Sequence, residues 1–332
     1  MDNLLERDSM LSVGEVPWHG KGTTMVEPPK DSQEALEISG LDWTVSRVPV
    51  SIDSGFVPVR IAGTVSKKNE GAYGAIVRDD ISDPFDPDRI MGVVGPNYVP
   101  FQNHEMGQIF DGLIAEDVLD IHTCGSLFNG KRVWMLGRFR QEAQEIRKDD
   151  KVESYCLLSH GHDGNVAVRF GFTPIRVVCW NTLSYAHDSE DSKLVRCLHT
   201  ESLGRNLETL AESISVAREV FEMTCETYRE LSKQRVSRAD LQKYAVIVSG
   251  QEGKKPDELS LVAQKTIQQI VDNAEKGRGN NGHSWWDAYN GCTEWLTWQR
   301  GRSVDRRLDS LWTGESKKIA ETALELALSM SA

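Results

Sequence analysis

The side chains best suited to chemistry in this 332-residue chain lie between Phe128 and Asn181. His160-Gly161-His162-Asp163 sets two imidazoles two residues apart beside a carboxylate, a spacing that can supply metal ligands or a general base. The same residue types, with Gly164 and Asn165, also suit a turn between strands for backbone reasons alone, and a turn that touches a ligand is a third reading. Around it, cations interleave with aromatics and amides: Phe128-Asn129-Gly130-Lys131-Arg132-Val133-Trp134, Arg138-Phe139-Arg140, Arg169-Phe170-Gly171-Phe172, Arg176 and then Asn181. Single-strand binders place cationic groups on backbone phosphates and aromatic faces under bases. A hairpin exposing Lys131, Arg132, Arg169 and Arg176, with Trp134 or Phe170 for stacking, meets that need. The opposing reading puts Trp134, Phe170 and Phe172 in the core and pairs the arginines with Asp or Glu. Arg169 and Arg176 interrupt hydrophobic runs, where an arginine must be paired or face a ligand, because an unpaired buried charge is strongly unfavourable.

Other reaction classes find little footing. There is no G-x-S-x-G elbow, and no cysteine adjoins a plausible histidine motif. Gly20-Lys21-Gly22-Thr23-Thr24 has some letters of a phosphate loop but lacks its upstream glycine and its flanking strand and helix. The cysteines, Cys124, Cys156, Cys179, Cys197, Cys225 and Cys292, include no C-x-x-C pair. A structural zinc site is therefore not expected, and the thiols read as small core residues in a reducing compartment. No cofactor and no metal are expected. No apolar stretch reaches the ~18 residues of a membrane span. Met1 to Asp8 lacks a basic region leading into an apolar core, so a cytoplasmic protein without a signal peptide is expected.

The net charge of −12 argues against a polyanion partner until its distribution is considered. Residues 1–120 carry the whole deficit, residues 121–332 sum to zero, and residues 121–183 alone sum to +3. An acidic front with a mildly basic middle is compatible with a local nucleic-acid groove, though scattered charges also serve simply as a solvated surface.

The elements that must position these residues follow from periodicity and turn chemistry. Residues 1–40 read as an N-terminal arm, turn-rich around Pro17 to Gly22 and broken at Pro28-Pro29, with a short helix at about 31–39. Short strand-like runs follow: Trp43 to Val48, Phe56 to Ile61, Tyr73 to Val77 and Met91 to Val94. Asp79 to Asp88, with two prolines and five aspartates, is a loop. Asn103 to Ile114 has helical spacing. Strands are expected at 118–125 and 132–139, joined by the Asn129-Gly130 hairpin signal. Gln141 to Lys151 reads as a charged connector, residues 154–179 as a hairpin, and Asn181 to Ala186 as the start of a short helix. From Leu207 to Leu231 an apolar stripe recurs at three- and four-residue steps, a long amphipathic helix that packs on the sheet or forms an intermolecular coiled coil. Residues 249–258 read as a linker, with further helices at 257–275, Trp285 to Trp298 and Glu315 to Leu328. The tryptophans of the Trp285 to Trp298 helix read as a buried seam or a partner surface. The fold class is α+β: an antiparallel hairpin sheet with packed helices over 41–200, then a helical region over 201–332.

Several blocks together resemble one family. They are Pro17-Trp18-His19-Gly20, Gly22-Thr23, Gly40-Leu41-Asp42-Trp43, and Val94-Gly95 with Tyr98, Pro100, Gln102 and Asn103. The others are Ser159 to Gly164, Ala167 to Arg169, Thr173 to Leu183, and Trp286, Tyr289, Asn290, Thr293 and Glu294. The chain is identified as a member of the phage/plasmid-like protein family, domain of unknown function 932. That resemblance implies a protein of phages, plasmids and other mobile elements. A remote similarity to the single-strand annealing recombinases, the group of Redβ and RecT, further implies a β-β-β-α core that assembles into rings or filaments and lays single-stranded DNA along a basic groove. Two features depart from the pattern: the chain is acidic overall, and the His160-Gly161-His162 turn carries one residue more than the usual form. The expected function is ATP-independent binding and annealing of single-stranded DNA by a homo-oligomer in recombination. The site residues would be Lys131, Arg132, Trp134, Arg169, Phe170, Arg176 and Asn181. The alternatives are a metal-dependent enzyme acting on nucleotides or nucleic acid through His160, His162 and Asp163, and a phage-encoded module that binds a host protein.

Overall fold

The computed structural model describes residues 10–14, 22–50, 73–140, 143–179, 181–184, 195–197, 210–301 and 303–332. The chain divides into two compact units. One comprises Met1–Arg140, Cys156–Gly171 and Leu194–Leu210; the other comprises Gln141–Tyr155, Phe172–Lys193 and Ala211–Ala332. This division cuts across the expected boundaries at 40 and 200.

The first unit is built on β1 (Met10–Val13), β2 (Thr23–Met25), α1 (Ser32–Ser39), β3 (Val45–Pro49), β4 (Gly74–Arg78), β5 (Ile90–Val94), α2 (Asn103–Ala115), β6 (Leu119–Leu127) and β7 (Arg132–Phe139). It also takes the later half of β9 (Asp150–Gly161), the first half of β10 (Val168–Arg176), and the described residues of β12 (Val195–Cys197). The strands β9, β7, β6, β1 and β2 are neighbours in that order. β6 and β7 form the hairpin that Asn129-Gly130 announces: Phe128, Asn129 and Gly130 all have positive φ (55°, 56° and 86°), the left-handed region that Asn and Gly enter most readily. β1, within the expected arm, pairs antiparallel with β6 and parallel with β2, so part of the arm belongs to the sheet.

Two helices pack on this sheet. Asp31 caps α1 by accepting from the Glu34 N–H at 2.9 Å, and Gly40 ends it at φ 65°. Ser32 ties α1 to α2 through two 2.7 Å hydrogen bonds, from its N–H and its hydroxyl, to the Asp111 carboxylate. A Cβ at Gly137 would lie 2.8 Å from Phe110, so the glycine lets α2 approach β7. β3, β4 and β5 form a separate antiparallel sheet in that order. The expected strand at 56–61 lies outside the described residues.

The second unit combines β8 (Gln144–Arg147), the first part of β9, the end of β10 and β11 (Asn181–Thr182) with α3 (Leu210–Lys233), α4 (Arg238–Val248), α5 (Leu261–Lys276), α6 (Trp285–Glu294), α7 (Val304–Thr313) and α8 (Glu315–Ser331). A π-helical turn, Trp295–Gln299, follows α6. Four serines, Ser237, Ser260, Ser284 and Ser303, cap the starts of α4, α5, α6 and α7, each accepting a backbone N–H three residues on. Of the apolar stripe, Ala217, Phe221, Thr224, Tyr228 and Leu231 are buried, and Phe221, Tyr228 and Leu231 lie in the unit's own core with Tyr244, Ile270, Trp286, Tyr289 and Leu324. From Phe221 to Leu231 the stripe thus packs internally rather than as an intermolecular coiled coil. Two expectations change. The charged connector at 141–151 contains β8 paired with β9, because a turn at Lys148-Asp149 (Asp149 φ 62°) folds it back. Asn181 begins a strand paired with Arg176 rather than a helix.

Candidate nucleic-acid interface

In the first unit the end of β9, the turn after it and the start of β7 meet. His162 N–H donates to the Lys131 carbonyl at 3.0 Å. Both imidazoles of the turn are fully buried and lie edge to face, 4.7 Å between centroids. His160 contacts Phe101 (5.1 Å) and His162 contacts Trp43 (5.1 Å). His162 Nε2 lies 3.1 Å from Asn103 Oδ1, while Asn103 Nδ2 donates to the carbonyls of Leu41 and Trp43 at 2.9 and 3.3 Å. Tyr98 donates its hydroxyl to the Gly161 carbonyl at 2.9 Å. Burial, assisted by the Asp163 charge, pushes the Tyr98 phenol up, so it stays a neutral donor.

Asp163 turns away from the histidines and pairs with Arg132, Nη1 to Oδ1 at 2.6 Å. Burial works against its ionisation, but the hydrogen bonds from Arg132 and Asn165 outweigh it and hold the carboxyl below its usual range. The turn is pressed onto β5: a Cβ at Gly92 would lie 2.6 Å from the Asp163 carbonyl oxygen, and one at Gly164 2.8 Å from Val94. Trp43, Tyr98, Asn103 and the 159–164 block, far apart in sequence, are thus assembled at one place. The motif blocks could have announced this meeting, but nothing in the sequence gave Tyr98 or Asn103 its partner.

A second polar centre lies in the second unit. Arg176 is fully buried and grips Asp150 with two hydrogen bonds, Nε to Oδ1 at 2.7 Å and Nη2 to Oδ2 at 2.5 Å. It also donates to Asn280 Oδ1 (2.7 Å) and to the carbonyls of Gly279 (2.9 Å) and Arg278 (3.3 Å), with its guanidinium 5.4 Å from the Trp286 ring centroid. Trp286 Nε1 donates to Asp150 at 2.9 Å. Arg147 bridges Asp150 (3.1 Å) and Asp287 (2.6 Å) and donates to the Gly279 carbonyl. Asp287 in turn closes the capping box of α6 with Ser284. Asp150, Arg147 and Asp287 were not foreseen as partners; the signal for one of them was the Arg147/Asp150 spacing across a tight turn. Asn181 is buried, and its Oδ1 accepts from Trp298 Nε1 at 2.8 Å.

The expected outward row of cations and aromatics is therefore corrected. Arg176 and Asn181 are internal fasteners of the second unit. Trp134 and Phe170 are 3% and 1% exposed and are core residues, with no face open to a base. β6 and β7 are buried at nearly every successive position, so both faces of the sheet are covered there, and a one-sided exposed hairpin is not what forms. Arg140, just past the end of β7, is held by Asp120 and Asp117. Lys131, Arg132 and Arg169 keep partial solvent access. The tryptophan seam is buried at Trp285, Trp286 and Trp295. Among the described residues no three His, Cys, Asp or Glu side chains converge as metal ligands, and Asp163 faces Arg132 instead of the two imidazoles.

No curated protein and no solved structure matches the chain. Residues 90–312, more than half of its length, match the family described as Domain of unknown function (DUF932). That span includes the Tyr98–Asn103 block, the histidine turn, and the Arg176 and Trp286 centre. The chain belongs to the DUF932 family.

Proposed function

We propose that the protein binds single-stranded DNA and promotes its annealing without ATP, as a cytoplasmic homo-oligomer in the recombination of a phage or other mobile element. The observation that carries this reading is the partial exposure of Lys131, Arg132 and Arg169 within the first unit, in the stretch of an acidic chain that is locally positive. Cations at such positions take phosphates from solvent, releasing counterions, while the bases stay available for pairing. Base pairing with the complementary strand then supplies the free energy, so no nucleotide hydrolysis is needed. The Arg132–Asp163 pair adds a second support: it is a single contact, Nη1 to Oδ1 at 2.6 Å, for which a phosphate can compete with the carboxylate.

Complementary oligonucleotides, one carrying a fluorophore and the other a quencher, are mixed with and without protein in the absence of ATP. Faster quenching with protein is expected. An unchanged annealing rate, at a protein concentration where low-salt binding has been sought and not found, removes the proposal.

A further inference from the structure

The three-stranded sheet of the first unit has one face in the core and one in solvent. Val45, Ile76, Met91 and Val94 are buried. On the other face the register aligns Val48 with Ala75 and Ala75 with Val93; Val77 stands opposite Ile90, and the Val50 N–H donates to the Tyr73 carbonyl. Residues directly opposite on neighbouring strands share a face. The solvent side is accordingly mainly apolar, with Val48 45%, Val50 38%, Tyr73 41%, Ile90 52% and Val93 56% exposed and Ser46, opposite Val77, a polar member of it. A half-solvated antiparallel sheet ordinarily turns polar side chains outward, and a contiguous apolar patch marks an interaction surface.

The rim of this patch has a definite charge. The loop joining β4 to β5 carries Asp79, Asp80, Asp83, Asp86 and Asp88, of which Asp80 is paired with Arg78 and Asp88 is buried, and beside Asp83 stands Phe85, 91% exposed. It adjoins the Val77–Ile90 end of the face. A fitting partner is therefore apolar with a basic rim. The same chain offers a basic one: residues 295–318 carry six Lys or Arg against three Asp or Glu, with Arg306 exposed on α7 beside partly exposed Val304 and Lys318 exposed early in α8, while Leu308 and Trp312 pack mainly against the unit's own core. Two acidic faces repel each other, so a symmetric face-to-face pair is disfavoured.

We infer that the outer face of β3–β4–β5, with the Phe85 loop, is the docking surface for the α7 region of a second copy of this chain, a head-to-tail interface. This rests on the homo-oligomer part of the proposed function and names the surfaces that build it. Because the two surfaces differ, the contact is heterologous and each copy keeps one free surface for the next.

The test uses the full chain in sedimentation velocity and mass photometry over a concentration series, with circular dichroism confirming the fold of every variant. Two double variants are made at exposed positions: Val48→Glu with Val93→Glu, and Arg306→Glu with Lys318→Glu. The wild type is expected to assemble beyond a monomer, less so at high salt. Each double variant is expected to lose at least about tenfold in association, since a carboxylate must enter an apolar contact or an attractive charge is reversed. Mixed together, the two variants should form a heterodimer, because each retains the surface the other lacks. A monomeric wild type overturns the inference, as does unchanged assembly of the Val48→Glu/Val93→Glu variant. Loss with that variant but wild-type assembly of Arg306→Glu/Lys318→Glu overturns α7 as the occupant. Oligonucleotide binding separates the two claims: a monomer that binds DNA sinks the interface alone, and an assembly that binds none sinks the function alone.

Discussion

Replacing Asp150 by Ala removes the acceptor for four donors: Arg176 Nε and Nη2 at 2.7 and 2.5 Å, Arg147 Nε at 3.1 Å, and Trp286 Nε1 at 2.9 Å. Arg176 is fully buried and cannot turn to water, so its charge is left with neutral neighbours in contact: backbone carbonyls, Asn280 and the Trp286 ring. Breaking a buried pair from one side costs about 3–5 kcal/mol. Arg176→Ala should cost less, about 3 kcal/mol, because Arg147 and Trp286 still satisfy the carboxylate. At about 2–4 °C per kcal/mol for a unit of this size, the Asp150→Ala melting point falls by roughly 6–20 °C. Arg176→Lys should not rescue, since an ammonium cannot reproduce the fork on Asp150. Urea unfolding followed by tryptophan emission reads the change directly, because Trp286 touches Asp150 and Arg176, and Trp285 and Trp295 are buried in the same core. An Arg176→Ala protein within about 0.5 kcal/mol of wild type, yet weakened in oligonucleotide binding, would refute the reasoning and return Arg176 to the role of a phosphate contact.

Burial, helped by the charge of Arg138, lowers the His122 pKa to about 4. Its folded pKa lies below the unfolded value near 6.5, so the unfolded chain binds the extra proton first, and stability present above pH 6.5 is lost as pH falls toward 4. The loss is on the order of 3 kcal/mol, and His122→Gln should flatten the stability profile over that window. Burial pushes the thiols of Cys124 and Cys225 up to about 12 and that of Cys179 to about 11, with Cys156 and Cys292 higher still. These five should resist a thiol reagent in the native protein and react at once in denaturant; rapid native labelling at any of them contradicts the packing. Tyr98→Phe deletes the hydrogen bond to the Gly161 carbonyl and should cost about 0.5–1.5 kcal/mol, visible as faster amide exchange in residues 159–165; unchanged exchange there contradicts the docking of the turn.

Local chemistry made much of the frame legible. Asn129-Gly130 fixed the β6–β7 hairpin, the three- and four-residue spacing fixed α2 and the described part of α3, and Asp31 with Gly40 bounded α1. Strands of two to four residues were not legible, because β1, β2 and β11 exist only through partners outside their own segments: β1 needs β6, and β11 needs the end of β10. α7 hid behind its arginines, whose spacing masked Val304, Leu308 and Leu311. The rule that an arginine inside an apolar run must be paired or face a ligand held for Arg176, but it could not choose between the two. The deciding carboxylate is Asp150, and the acceptors Gly279 and Asn280 come from more than a hundred residues away. Trp134 and Phe170 misled for a related reason: alternation shows which residues share a face, not whether another layer covers it.

On the proposed function, the partly exposed cations of the first unit, not the buried Arg176, meet the phosphates. Fluorescence anisotropy of a labelled oligonucleotide over a salt series, for wild type and for Lys131→Ala/Arg169→Ala, tests it most directly. Binding should weaken linearly on logarithmic axes, and the double variant should lower the magnitude of the slope by about 1.4, which is roughly 0.7 for each single-strand phosphate that a removed cation had neutralised. Absent low-salt binding, salt-independent binding, or a double variant that superimposes on wild type would contradict it.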